Sequence, residues 1–155
     1  MKILFVCLGN ICRSPSAEGV FRHALERAGM QHEVSVDSCG IGPWHVGKGP
    51  DARAREAALR RGIDIGTLRA RQLAPVDFDE FDYLLAMDHD NLSALQAQQP
   101  AGSKARVELF LNYADTAEKA VPDPYYGGEQ GFETVLDLIE EASEGFIAHL
   151  QRGDK

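Results

Sequence analysis

Short apolar runs alternate along the chain with longer stretches whose apolar residues recur at helical spacing. Ile3 to Val6 is the first run, and its unbroken apolar character predicts a strand buried on both faces. Cys7-Leu8-Gly9-Asn10-Ile11-Cys12-Arg13 has no periodicity and reads as a loop. Ser14-Pro15 then predicts a helix start, with serine as N-cap and proline at the first helical position. Val20, Phe21, Ala24, Leu25 and Ala28 form one stripe of that helix, and Gly29 ends it. Val34 and Val36 mark a second strand, with Asp37-Ser38 near its end, and Gly40 to Pro50 reads as a loop. The pattern goes on with a helix over 51–61 closed by Gly62, a strand over 81–87, a helix over 88–98 and a strand over 107–111. Residues 116–128 read as mostly loop. A final helix over 131–150 has Phe132, Val135, Leu136, Ile139, Phe146, Ile147 and Leu150 as core positions.

Strands alternating with helices predict an α/β fold: a single three-layer domain, with a four-stranded parallel sheet and helices on both faces. Ligands in such folds bind beyond the C-terminal ends of the strands, and Cys7 stands at one. A length of 155 residues suits one domain, residues 1–155. The net charge of −8 argues against nucleic acid and anionic membrane as partners, and no apolar run is long enough to span a bilayer. The short N-terminal apolar run lacks the features of a signal peptide, so the expected location is cytoplasmic. Three cysteines, Cys7, Cys12 and Cys39, are too few for a disulfide framework and are expected as free thiols. The five histidines have no metal-ligand spacing, so neither a metal nor another cofactor is expected.

The loop from Cys7 to Arg13 carries the chemistry. A tight arc between strand and helix can turn several backbone N–H groups inward as an anion nest, and the helix N-terminus adds its own. Gly9 lets the chain turn, and Asn10 is one of the few side chains tolerant of a left-handed conformation. Arg13 supplies a planar fork for two phosphate oxygens. These positive surroundings favour the thiolate of Cys7 as nucleophile. A cysteine followed six residues later by an arginine is weak on its own. The glycine-bearing loop between a strand and a Ser-Pro helix start makes it specific.

Val6-Cys7-Leu8-Gly9-Asn10-Ile11-Cys12-Arg13-Ser14-Pro15-Ser16-Ala17-Glu18 closely resembles the signature of the low-molecular-weight protein tyrosine phosphatases. Asp123-Pro124-Tyr125-Tyr126-Gly127 resembles that family's second motif, and Phe81-Asp82-Tyr83 and Met87-Asp88 look like family positions. The resemblance implies a phosphatase I-like fold and hydrolysis of phosphotyrosine through a phosphocysteine on Cys7. It implies Arg13 and the loop from Leu8 to Arg13 as the phosphate clamp, Asp123 as general acid and base, and Ser14 as a donor to the thiolate. Ile11, Trp44, Tyr125 and Tyr126 would wall the substrate pocket, and Cys12 would protect Cys7 by a reversible disulfide. The implied partners are phosphotyrosine proteins, with inorganic phosphate and similar oxyanions as competitors.

One position departs from the family pattern. Members usually carry a histidine just before an Arg-Ala-Arg-Gln segment, where it holds the loop asparagine, and here Leu68 precedes Arg69-Ala70-Arg71-Gln72. Asn10 must then be held by Ser14, Ser38 or Thr67, or the loop is less rigid. Three rival activities are weighed. Arsenate reduction needs relay cysteines that the segment after the third strand lacks. Phosphoarginine hydrolysis goes with threonine at the Ile11 position. A pure phosphate-binding module has no use for Cys7 or Asp123.

Overall fold

The computed structural model describes residues 1–124 and 128–153. Four parallel strands, β1 (Lys2–Cys7), β2 (Ser35–Gly40), β3 (Tyr83–Ala86) and β4 (Arg106–Leu109), form one sheet in the order β2-β1-β3-β4. Among the described residues, five α-helices cover it: α1 (Arg13–Arg27), α2 (Ala52–Arg60), α3 (Asp77–Glu80), α4 (His89–Gln98) and α5 (Glu129–Gln151). The expected α/β layering is present.

The two-residue period of β1 divides the core. Ile3, Phe5 and Cys7 face α1, α2 and α5, among Phe21, Ala57 and Ile139. Leu4 and Val6 face α3 and α4, among Phe78 and Leu95. Both faces are covered, so β1 is apolar from Ile3 to Cys7, with only Lys2 exposed at its start. Phe5 lies edge-on to Phe21 and Phe110, with ring centroids 5.6 and 4.8 Å away, and is fully buried. Burying such a side chain is worth about 1.5–3 kcal/mol.

Several expected boundaries move. The third strand is shorter than expected, because Phe81 caps α3, a helix of four residues. A single turn is too short to display helical periodicity, so the sequence pattern did not reveal it. The fourth strand stops at Leu109, and Phe110–Tyr113 forms a 3₁₀ turn. Phe110 and Leu111 are buried there, which explains why they read as strand. A Cβ on Gly145 of α5 would stand 1.8 Å from the Tyr113 carbonyl oxygen, so only glycine lets α5 seat against this turn. Gly29 and Gly62 end α1 and α2 in the left-handed region, as expected.

Candidate active site

β1 is the point where the sheet reverses its strand order, since β2 follows it on one side and β3 flanks it on the other. The crevice beyond the strand ends at such a point is where α/β sheets bind ligands. Cys7 is the last residue of β1, and the chain turns through Leu8–Cys12 into α1.

The arc is held from outside through its carbonyl oxygens. Those of Cys7 and Leu8 accept from the backbone N–H groups of Ile41 and Gly42 at 2.9 and 3.1 Å. That of Ile11 accepts from Asp51 N–H at 2.8 Å, and that of Cys12 from the Ser16 hydroxyl at 2.7 Å. In a trans peptide the C=O and N–H point to opposite sides. Outward carbonyls at Cys7, Leu8 and Ile11 therefore turn the N–H groups of Leu8, Gly9 and Cys12 inward, building an anion nest. The Asn10 N–H donates to Cys7 Sγ at 3.2 Å.

Asn10 takes the left-handed conformation anticipated for it, with φ of 59°. Gly9 contributes in a different way from the one expected. Its φ lies outside the left-handed region, and a Cβ there would stand 2.9 Å from the His45 ring. The absence of a side chain here lets the His45 ring lean on the loop. The expected N-cap role of Ser14 is corrected as well. Helix α1 begins at Arg13 with Cys12 in the cap position, and Ser14 lies inside the first turn. Its hydroxyl points back to Cys7 Sγ, 2.9 Å away.

Asn10 keeps its anchor although Leu68 replaces the histidine. Its side-chain amide donates to Ser14 Oγ at 2.8 Å and Ser38 Oγ at 3.0 Å, and its oxygen accepts from Arg71 N–H at 3.0 Å. Ser38 in turn donates to the buried Glu18 carboxylate at 2.7 Å. Burial pushes the Glu18 carboxyl up from its ordinary value, against the hydrogen bond from Ser38 and the charge of Arg22. Leu68 packs against the apolar core instead.

Arg13 is 3% exposed. Its Nη1 donates to Asp88 Oδ2 at 2.6 Å and to the Val121 carbonyl at 3.0 Å. Its Nη2 lies 3.7 Å from Asp123 Oδ2. Asp88 is the N-cap of α4, just beyond the end of β3, and so grips the guanidinium and the Asn91 N–H together. The backbone N–H of Val121 donates to the Met87 carbonyl at 2.7 Å, which tethers the segment carrying Asp123 to the same strand end.

These residues surround a cavity of about 390 Å³. Cys7, Arg13, Cys12 and Asp123 line it together with Leu8, Gly9 and Ile11, and Trp44 and His45 form one wall. Trp44 is 64% exposed yet stacked on Gly42, where a Cβ would meet its ring at 1.8 Å. Glycine at position 42 thus leaves room for the ring of this wall. Burial, aided by Asp51, pushes the Cys12 thiol up to about 12, so Cys12 stays protonated. Tyr125 and Tyr126, expected as further walls, lie outside the described residues. Among the described residues, no group of three His, Cys, Asp or Glu side chains is placed to hold a metal, and no helix is long and apolar enough to cross a membrane.

The parts played by two residues of the site are not legible in the sequence. His45 sits in a loop with no periodicity to mark it. Asp88 resembles a family position at the start of the helix over 88–98, but its hold on Arg13 is not legible in the sequence.

A small parallel α/β domain with a cysteine–arginine anion loop at the switch point defines a class of phosphate-ester chemistry. The sequence matches the family described as low molecular weight phosphotyrosine protein phosphatase over residues 2–155. The chain is 47% identical over 149 residues to the low molecular weight phosphotyrosine protein phosphatase of Schizosaccharomyces pombe, covering 95% of each. It superposes on the crystal structure of a protein tyrosine phosphatase from Entamoeba histolytica with a TM-score of 0.96 at 38% identity, covering 100% of this chain and 99% of that one. The drosophila arginine phosphatase DARP superposes with a TM-score of 0.91 at 34% identity, covering 97% and 98%. The chain belongs to the low molecular weight phosphotyrosine protein phosphatase family.

Proposed function

We propose that the chain, acting as one domain over residues 1–155, hydrolyses phosphotyrosine in proteins with Cys7 as nucleophile. The observation that carries this reading is the shared cavity: the Cys7 thiol, the Arg13 guanidinium and the Asp123 carboxyl all line it. The loop N–H groups and Arg13 bind the phosphoryl oxygens and stabilise the charge that spreads over them in the transition state. Cys7 Sγ attacks phosphorus in line with the bond to the tyrosyl oxygen. As that bond breaks, Asp123 gives its proton to the leaving oxygen. Asp123 then takes a proton from the water that attacks the phosphocysteine, the S–P bond breaks, and the Cys7 thiolate leaves with phosphate as product. Ser14 donates to that thiolate. Inorganic phosphate and similar oxyanions compete for the same loop.

Ile11 and the Trp44 wall give the cavity an apolar side suited to a tyrosine ring. The test is a turnover comparison of phosphotyrosine, phosphoserine and phosphoarginine peptides. Phosphotyrosine is expected to be preferred by about a hundredfold or more in kcat/KM, the order that a well-matched pocket contact gives. A preference for phosphoarginine would move the substrate to the chemistry in the DARP name.

Cys12 lines the same cavity as Cys7, and we assign it the part of resolving thiol after oxidation of Cys7, in a cytoplasm that returns the pair to free thiols. Peroxide inactivation is expected to reverse with dithiol in the parent protein and to reverse poorly in Cys12→Ser. Equal recovery would remove this role.

A further inference from the structure

Arg71 lies outside the cavity, on the segment after Leu68, yet three separate parts of the site converge on it. Its backbone N–H donates to Asn10 Oδ1 at 3.0 Å. Its carbonyl accepts from Gly40 N–H at 2.8 Å, at the end of β2. Its guanidinium is held by two carboxylates: Nε donates to Asp37 Oδ2 at 3.0 Å, and Nη1 and Nη2 donate to the two oxygens of Asp77 at 3.0 and 3.1 Å. Asp77 is buried and also accepts from Ala74 N–H at 2.8 Å, so the clamp is fixed to α3 and its approach.

The consequence follows from which groups can only donate and which can only accept. A backbone N–H only donates, so the Asn10 atom facing Arg71 is its oxygen. The Asn10 NH₂ then faces Ser14 and Ser38 and donates to both. Ser38 donates its hydroxyl hydrogen bond to the Glu18 carboxylate, which leaves its oxygen open to Asn10. Ser14 already accepts from Asn10, so its proton is directed elsewhere. Cys7 Sγ at 2.9 Å is nearer than the Cys39 carbonyl at 3.4 Å. Arg71 therefore sets the direction of the bond it makes to Asn10 and of the bond from Asn10 to Ser14, and a Cys7 thiolate, which can only accept, takes the Ser14 hydroxyl as its donor.

We infer that Arg71 is a positioning residue for the Cys7 thiolate: held by Asp37 and Asp77, it orients the Asn10 amide and thereby makes Ser14 a donor to Cys7. This rests on the reading of Cys7 as nucleophile. In a chain whose residue 68 is leucine, the backbone N–H of Arg71 supplies the bond that keeps Asn10 Oδ1 turned away from Ser14.

The test is a double-mutant cycle in kcat. Arg71→Ala is expected to lower kcat by about tenfold or more, on the scale of a small misplacement of reacting groups. Arg71→Lys, which keeps a cation within the acidic clamp, is expected to recover most of this. In an Asn10→Ala background Arg71→Ala should cost less than about twofold, because the two act through one contact. In an Asp123→Asn background it should cost the full factor again. Equal factors in both backgrounds, or an unchanged kcat for Arg71→Ala, would overturn the inference. If Arg71→Ala does not fold, Asp77→Asn loosens the same clamp and goes through the same cycle. Cys7→Ser separates the two levels. Activity that survives it refutes the nucleophile itself, whereas equal factors with Cys7-dependent turnover refute only the role of Arg71.

Discussion

Replacing Cys7 by serine is expected to lower turnover of phosphotyrosine by about 10⁴-fold or more, the scale on which nucleophile deletions act. A serine hydroxyl would stand among the same partners, Ser14 at 2.9 Å and the Asn10 N–H at 3.2 Å in the parent protein. Among the described residues nothing nearby is placed to take its proton: Ser14 is committed as a donor, and Asp123 serves the leaving group. Binding of the anion should survive, because Arg13 and the inward N–H groups are untouched. Removing a negative sulfur from beside a phosphate dianion also relieves like-charge repulsion, so inorganic phosphate is expected to bind Cys7→Ser at least as tightly as the parent. Titration calorimetry with phosphate, alongside single-turnover kinetics, checks both halves. Residual turnover within tenfold of the parent would end the assignment of Cys7.

Asp123→Asn is expected to cost about 10²- to 10⁴-fold toward phosphotyrosine, the usual share of general acid–base catalysis. The informative quantity is the dependence on the leaving group. A tyrosyl oxygen, whose phenol has a pKa of about 10, needs a proton as it departs. A nitrophenolate needs far less help. The variant should therefore lose much more in its first step with phosphotyrosine than with nitrophenyl phosphate. Asp123 also lies 3.7 Å from Arg13 Nη2, so the substitution could weaken the clamp instead. A weakened clamp would cost both substrates equally, and equal first-step losses would remove Asp123 as the acid. Because the same carboxylate activates water, the phosphocysteine should accumulate in the variant when nitrophenyl phosphate is used, and acid-quench trapping would reveal it.

Apart from Asp123 and Trp44, which the family resemblance supplies, the legible part of the site is the part that is contiguous in sequence. Cys7 and Arg13 share one loop, and no long-range packing is needed to bring them together. Asn10 could be read as left-handed because few other side chains tolerate that conformation. Ser14 was harder. The pattern that predicts an N-cap also fits a hydroxyl two positions further in, and that offset decides whether it caps the helix or faces the thiol. The boundaries of β3 and β4 were displaced for a related reason: an apolar run marks burial, and Phe81, Phe110 and Leu111 occupy buried or partly buried turns that read the same way.

By itself, the sequence determined the alternation of strand and helix, the buried character of β1 and the chemistry of the arc at its end. These follow from local periodicity and from residue types within a few positions of one another. Tertiary structure alone decided what surrounds that arc. Asp88 reaches Arg13 across 75 positions and Arg71 reaches Asn10 across 61. These meetings depend on β3 pairing with β1 on the side opposite β2, and on the segment after Leu68 crossing the end of β2. Such contacts arise from the order of strands in the sheet, which no periodicity along the chain encodes.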